Sequence, residues 1–179
     1  MVGIVRRIDE LGRIVIPREM RKTLRLKEGD PIEITLGEAG VVLKKFSPLK
    51  SLGGFASVTA ESLAEEFGRT VVVVDTDGVL AASGRYEKQF KNKKITEKLS
   101  DELSSCSMSL KSVFDGQETG RIVLGETDEF SNRIVQPVVV GGNVVGGIVV
   151  VDTESEKPAA EVIRVVRFCA DFLARQFEI

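Results

Sequence analysis

Two short β-branched runs, separated by a polar turn, begin the hydrophobic pattern of this chain. They predict a strand at Val2–Ile8 and another at Arg13–Ile16, around the turn Asp9–Gly12. Pro17 suits the first position of the helix that follows, because the N–H that proline lacks would have no partner there. Apolar spacing carries this helix to about Leu24. The chain is therefore predicted to open as strand, turn, strand and helix.

A β-hairpin is predicted next. Its strands are Pro31–Leu36 and Val41–Phe46, and its turn is the glycine-containing segment Gly37–Gly40. A unit of about 45 residues, with only short strands and one two-turn helix, leaves too much apolar surface in water to be stable alone. We therefore expect two chains to interleave their hairpins in a homodimer.

The middle of the chain mixes helical and strand patterns. Apolar residues in Leu52–Phe67 recur at helical spacing. Runs rich in β-branched residues predict strands at Thr70–Val74 and Val79–Ala82, and the segment Ile95–Leu103 is predicted to be helical. Residues 83–94 are polar and basic, which predicts a loop.

The clearest β signal lies near the end of the chain. Asn132–Val140 and Val144–Val151 flank a Gly-Gly-Asn turn and predict a long hairpin, after a shorter strand at Arg121–Leu124. A final helix is predicted at Glu156–Phe177, with Pro158 in its first turn. Its apolar residues cover more than one stripe, whereas a helix that packs only on its own sheet needs an apolar face of about 100°. This helix is expected to contact a second subunit.

A break in the pattern at Ser47–Ser51 predicts the domain boundary. We assign residues 1–47 to a small dimerising domain, residues 48–54 to a linker and residues 55–179 to a larger domain. The mixture of hairpins and helices predicts an α+β fold class.

Charge is divided unevenly between these parts. The first 50 residues contain 11 Lys and Arg against 7 Asp and Glu, whereas the rest contains 14 against 20. A basic N-terminal part before an acidic body indicates that the first part meets an anionic partner.

Several kinds of chemistry are excluded by residue type. The 179 residues include no histidine, which excludes a Ser-His-Asp triad and histidine-ligated zinc. Cys106 and Cys169 lie far apart and form no CxxC unit. The sequence shows no apolar leader and no apolar run long enough to span a bilayer, so we expect a cytoplasmic protein that is not in the membrane. No metal or cofactor is expected.

The N-terminal string GIVRRIDELGRIVIPREMRKTLRLKEGDPIEI resembles the AbrB family of swapped-hairpin DNA-binding proteins, over about Gly3 to Phe46. The resemblance implies an N-terminal swapped-hairpin β-barrel dimer, similar to the AbrB and MazE folds, which binds double-stranded DNA. It also implies five DNA-contacting positions: Arg6, Arg7, Arg13, Arg21 and Lys22. These residue types suit contact with DNA, because Lys and Arg neutralise phosphates and Arg can donate two hydrogen bonds to a guanine edge.

The second half resembles the GAF-like α/β sensor domain, with an antiparallel sheet, that some AbrB-family regulators carry after a connecting helix. The strings VVVVDTDGVLAASG and IVQPVVVGGNVVGGIVVV carry this looser resemblance. It implies a sequence-specific transcription factor, both activator and repressor, that controls sporulation-type gene expression as a nucleoid-associated homotetramer. The cyclic-nucleotide signature of GAF domains is absent, so a small effector of unknown chemistry and a purely oligomerising role both stay open.

Two other functions stay open from the sequence. VVVVDTDGVL matches the first motif of haloacid-dehalogenase-like phosphatases, in which Asp75 would attack phosphorus and Asp77 would act as acid and base. A hairpin turn that favours Asp and Gly explains the same string without catalysis. The second alternative is an antitoxin-type DNA-binding regulator, although antitoxins usually end in a disordered acidic tail.

Overall fold

The computed structural model describes residues 3–26, 28–38, 40–52, 54–112, 120–126, 130–153 and 158–177. The chain folds into two compact units, residues 1–46 and 47–179. Helices and antiparallel strands occur in both units, which confirms the α+β class.

The first unit contains one short helix and one hairpin. Helix α1 spans Arg18–Thr23, directly after Pro17, so proline precedes the first helical residue rather than occupying it. Strands β1 (Ile32–Gly37) and β2 (Gly40–Lys45) pair in antiparallel register, with Ile32 opposite Lys45. The predicted hairpin is confirmed.

The two predicted strands before α1 are wrong for the single chain. Residues 3–16 form no ladder with any described residue. The turn between the two runs does form: the Gly12 N–H donates to the Asp9 carbonyl at 3.0 Å, and the Asp9 N–H donates to the Arg13 carbonyl at 3.1 Å. A strand needs a neighbour for its hydrogen bonds, and one chain does not supply it here.

The second unit is a five-stranded antiparallel sheet between two layers of helix and loop. In chain order its elements are α2 Pro48–Ser51, α3 Phe55–Phe67, β3 Thr70–Asp75, β4 Val79–Ser83, α4 Glu97–Ser104, β5 Ser109–Ser112, β6 Asn132–Val140, β7 Asn143–Asp152 and α5 Ala160–Arg175. The strand order is β4-β3-β7-β6-β5. Helices α3 and α5 cover one face of the sheet, and α4 with the loops around it covers the other.

Strand β3 shows why this sheet reads as continuous apolar runs. Val71 and Val73 pack into the core under α3 and α5, whereas Val72 and Val74 pack into the core under α4. All four side chains are fully buried. A strand that is covered on both faces loses the alternation of apolar and polar residues that marks a half-exposed strand.

Two elements near α4 differ from the prediction. The sequence does not predict strand β5, because Ser-Leu-Lys-Ser has almost no β-branched or alternating signal. The predicted strand Arg121–Leu124 is reduced to a single bridge between Ile95 and Val123. The N–H groups of Ile122 and Val123 donate instead to the Glu126 carboxylate, at 2.6 and 3.1 Å. Burial raises the pKa of Glu126, and these two hydrogen bonds oppose that rise.

The start of the second unit is anchored to its sheet. Leu49, on the short helix α2, is 1 % exposed and lies in the core with α3 and α5. Gly146 on β7 allows this approach, since a Cβ there would overlap the Val74 carbonyl and the Leu49 side chain. The predicted linker at 48–54 thus begins as a docked helix. The domain boundaries 1–47, 48–54 and 55–179 stay a prediction.

The final helix also begins later than predicted. Helix α5 starts at Ala160, so Pro158 precedes it instead of lying in its first turn. Residues 154–157, where the predicted helix begins, lie outside the described residues.

A buried ion cluster joins α4 to β5 and β6. Glu102 accepts hydrogen bonds from the Arg133 guanidinium and from the Ser109 hydroxyl, and its Oε2 lies 3.1 Å from Lys111 Nζ. Arg133 also donates to the Gly120 carbonyl at 3.2 Å. The Arg133 side chain is 1 % exposed and that of Glu102 is 8 % exposed. Burial lowers the pKa of Arg133, while Glu102 and Glu126 raise it.

Candidate nucleic-acid interface

All five predicted DNA-contacting side chains are exposed. Arg6 and Arg7 lie on the unpaired first run, Arg13 lies at the end of the turn, and Arg21 and Lys22 lie in the last turn of α1. Helix α1 buries none of its residues, and cations suit its C-terminal end because the carbonyls there carry partial negative charge. The first unit therefore presents its cations to solvent, as an interface with an anion requires. Their contact with DNA stays a prediction.

Asp9 organises the turn that carries Arg13. Its carboxylate accepts the N–H groups of Leu11 at 3.0 Å and Arg13 at 2.8 Å, and it accepts the Arg13 Nε–H at 2.7 Å. The hydrogen bonds from the Arg13 backbone and then from its guanidinium hold the pKa of Asp9 below its usual range. Asp9 occupies only the Nε side of the guanidinium, so the Nη groups remain able to donate to a phosphate or a base.

Sequence reasoning assigned Asp9 to a turn and gave it no part in the site. The spacing of Asp9 and Arg13, four residues apart across a turn with Gly12, could have indicated the pair. Gly12 has a φ of 76°, a backbone conformation that glycine adopts without strain. The Asp9 carboxylate therefore stabilises the turn and orients the Arg13 side chain at the same time.

The same unit exposes an unusual amount of apolar surface. Val5 and Leu36 are each 90 % exposed. Many further large apolar side chains of this unit are exposed: Ile4, Ile8, Leu11, Ile14, Val15, Met20, Leu24, Ile34, Val41, Val42 and Phe46. Among the described residues up to Phe46, only Pro17 is buried. This many exposed apolar side chains in so small a unit indicate an interface with another protein chain.

The aspartates of the phosphatase motif lie in a turn. Asp75 Oδ1 accepts the N–H groups of Asp77 and Gly78, each at 2.8 Å, between the antiparallel strands β3 and β4. This is the hairpin turn favouring Asp and Gly that explains the VVVVDTDGVL string without catalysis. Within the described ranges, no group of three or more Cys, Asp or Glu side chains is arranged to hold a metal ion.

A cavity lies between α3 and β4. It has a volume of about 220 Å³ and is lined by Ser57, Glu61, Val79, Leu80, Ala81, Ala82, Lys91 and Asn92. Pockets that hold drug-sized ligands are commonly larger, about 300–1,000 Å³, and mostly apolar. No helix in the described part of the chain is long and apolar enough to cross a membrane.

Known protein families match both units. The family model described as "Stage V sporulation protein T C-terminal, transcription factor" matches residues 51–178. The family model described as "Antidote-toxin recognition MazE, bacterial antitoxin" matches residues 5–51. The two matches together run from the first β-branched run to the end of the second unit.

Solved structures similar to this chain share its fold. The GAF domain of an Acinetobacter phosphoenolpyruvate-protein phosphotransferase is 10 % identical with a TM-score of 0.57, covering 73 % of this chain and 82 % of that one. The blue-light absorbing GAF domain of Thermosynechococcus elongatus PixJ is 15 % identical with a TM-score of 0.57, covering 75 % and 89 %. At these identities the likeness concerns the fold alone, and it confirms the GAF-like architecture.

Two relatives from one bacterium extend the match over both units. The transition state regulatory protein AbrB of Bacillus subtilis (strain 168) is 35 % identical over 92 residues, covering 51 % of this chain and 94 % of that protein. Stage V sporulation protein T of the same strain is 40 % identical over 177 residues, covering 98 % of this chain and 97 % of that protein. The second match therefore includes both units in the same order. The chain belongs to the stage V sporulation protein T family of transcription factors.

Proposed function

We propose that this protein is a sequence-specific, DNA-binding transcription regulator of sporulation-type genes, and that it acts in the cytoplasm on the nucleoid. The observation that carries the proposal is the first unit, in which exposed arginines lie directly beside exposed β-branched residues. Two chains that interleave would bury the apolar residues and place two sets of cations on one dimer. The family match to stage V sporulation protein T supports the same function.

The mechanism follows from the charges of the first unit. Long-range attraction between the exposed cations and DNA phosphates brings the dimer to the duplex without regard to sequence. Arg6 and Arg13 then reach base edges, where an arginine donates two hydrogen bonds to guanine O6 and N7. Asp9 holds the Nε side of Arg13 and so restricts the directions in which its Nη groups donate.

DNA binding of the purified full chain should depend steeply on salt. If about six phosphates are neutralised, the logarithm of the association constant falls against the logarithm of salt concentration with a slope near −5. Fluorescence anisotropy with labelled promoter duplexes measures this slope, and genome-wide mapping of DNA captured by the protein then identifies the operator. An affinity that does not change with salt would reject DNA as the partner of the first unit.

The second unit is proposed to join dimers into a homotetramer. Helices α3 and α5 expose a group of large apolar side chains: Phe55, Val58, Phe168 and Phe172. The exposed charges of the two helices differ: α3 carries Glu61, Glu65 and Glu66 and no cation, whereas α5 carries Arg164, Arg167 and Arg175 together with Glu161 and Asp171. A second copy that places its α5 against α3 would bury these apolar side chains and bring the arginines of α5 near the glutamates of α3.

Phe168→Glu is expected to halve the assembly. Phe168 is 69 % exposed on α5, and a carboxylate there would have to lose its water in the proposed interface. Multi-angle light scattering should report four times the 19.5 kDa chain mass for the wild type and twice that mass for the variant. Leu124→Glu is the matched control, because Leu124 is similarly exposed on a different part of the unit. A Phe168→Glu chain that remains tetrameric would contradict this interface.

Binding of a small-molecule effector is the second role that we propose for the second unit. The cavity between α3 and β4, with Glu61 and Lys91 among its lining residues, offers space for such a molecule. Its volume suits a small polar molecule, and such a molecule would regulate the protein if it bound one state of the unit more tightly than another.

A further inference from the structure

The second unit carries a basic surface that the DNA-binding role of the first unit does not explain. Residues 51–179 contain more acidic than basic residues. Even so, six of their 14 Lys and Arg residues fall in one short segment, from Arg85 to Lys98 inclusive. Arg85, Lys88, Lys91 and Lys94 recur at every third position, and all four are exposed. We call these four residues the basic strip.

The segment under the basic strip is held along the length of β3. At one end, the Tyr86 N–H donates to Thr70 Oγ1 at 3.1 Å, beside the first residue of the strand. At the other end, the Ile95 N–H donates to the Asp77 carbonyl at 3.1 Å, just beyond the last residue of the strand. Between them Phe90 is fully buried in the core under α4. The backbone of the strip is thus fixed at both ends and in the middle.

This anchoring spreads the four charges over the length of a strand. Strand β3 has six residues, which corresponds to roughly 17–20 Å. A single phosphate or carboxylate cannot contact charges that are distributed over this length. A polyanion can, and one strand of duplex DNA carries a phosphate for about every 3.4 Å of the helix axis.

Most of the basic strip is available to such a partner. Lys91 pairs with Glu87 at 2.8 Å, and the Arg85 guanidinium lies over the Tyr86 ring at 5.5 Å. Within the described part of the chain, Arg85, Lys88 and Lys94 have no ion pair. The aromatic residues of the segment face inward, where Tyr86 packs edge-on against Phe130.

These features favour DNA over a protein or a membrane. Protein interfaces are depleted of lysine and enriched in exposed aromatic residues, and membrane-binding surfaces combine cations with exposed apolar side chains. The basic strip has lysines without exposed aromatic or apolar residues among them, which is the composition of a surface that contacts the phosphate backbone. We propose that the basic strip binds duplex DNA through its phosphates, independently of sequence. The proposal rests on the proposed function, since DNA recruited by the first unit supplies the polyanion.

The test compares the salt dependence of binding in charge-neutralised chains. Lys88→Gln/Lys94→Gln in the full chain is titrated with a long mixed-sequence duplex and should bind more weakly than the wild type. Its slope of log K against log salt should be smaller by about 0.9 for each phosphate that is no longer neutralised, or roughly 2 for each chain. Lys88→Arg/Lys94→Arg keeps the charges and should keep the wild-type slope. Lys50→Gln/Arg121→Gln removes the same charge at exposed positions outside the strip and should also keep it.

Each other outcome overturns the proposal. Equal slopes for the wild type and Lys88→Gln/Lys94→Gln, with wild-type DNA binding intact, reject the basic strip and leave the proposed function standing. An equal decrease in the Lys50→Gln/Arg121→Gln chain shows an effect of net charge alone. If the two substitutions abolish binding to phosphatidylglycerol vesicles and leave the DNA slope unchanged, the strip recognises a membrane. A wild type that binds no DNA rejects both proposals.

Discussion

Arg6→Ala/Arg13→Ala should weaken binding to the operator by about 1–3 kcal/mol for each base that is no longer read, or roughly 5- to 150-fold for each. The decrease is expected because alanine removes the donors that read guanine. A dimer presents each arginine twice, so the measured decrease would exceed that of one arginine–guanine pair. Anisotropy titration with operator and scrambled duplexes at one salt concentration measures both affinity and discrimination.

Controls separate base reading from general electrostatics. Lys44→Ala removes an exposed cation of the same unit that lies on β2, outside the predicted DNA-binding set, and should leave discrimination between the two duplexes unchanged. Circular dichroism verifies that each variant is folded. If the folded double variant binds the operator with wild-type affinity, the assignment of Arg6 and Arg13 to base reading is wrong.

Glu102→Ala should lower the free energy of unfolding by about 3–5 kcal/mol, because it leaves buried cations without their counter-ion. Arg133 is fully buried and Lys111 is largely buried, and both pair with Glu102. Arg133 depends on this carboxylate strongly, since its Nε has no hydrogen-bond partner in the described structure. Urea denaturation followed by far-UV circular dichroism measures the change.

The matched control is Asp101→Ala, which removes an exposed carboxylate from the adjacent position of α4. It should change stability by less than about 0.5 kcal/mol. A second variant, Glu102→Leu/Arg133→Met, replaces the buried pair with apolar side chains and should recover part of the lost stability. A Glu102→Ala chain as stable as the Asp101→Ala chain would show that the ion cluster does not stabilise the fold.

Residue types and local periodicity were sufficient to predict many of the strands and helices of the second unit. The valines of β3 and the long hairpin β6–β7 could be predicted because a buried strand is apolar at every position and a glycine-rich turn separates the two hairpin strands. Gly141 and Gly142, with φ values of 54° and 80°, occupy that turn. Strand β5 could not be predicted in this way, since its pairing with β6 depends on a neighbour rather than on its own pattern.

In the first unit, the sequence indicated the cations and the need for a partner chain, but not the state of the single chain. The β-branched residues of 4–8 and 14–16 favour extended backbone, yet a ladder requires hydrogen-bonding neighbours that the described residues of 3–46 do not provide. The spacing of Asp9 and Arg13 could have indicated an ion pair, but the backbone hydrogen bond from Arg13 to Asp9 depends on the conformation of the turn.

The sequence by itself determined the α+β class, the basic first part and acidic second part, the AbrB-like motif and its five cations, because each depends on residue type or on spacing along a short segment. Only the tertiary structure decided which distant groups meet. It brings Arg133 to Glu102, packs Leu49 over Gly146, and places the basic strip along β3. These arrangements arise from the crossing of chain segments that are far apart in sequence, and local pattern carries no record of such crossings.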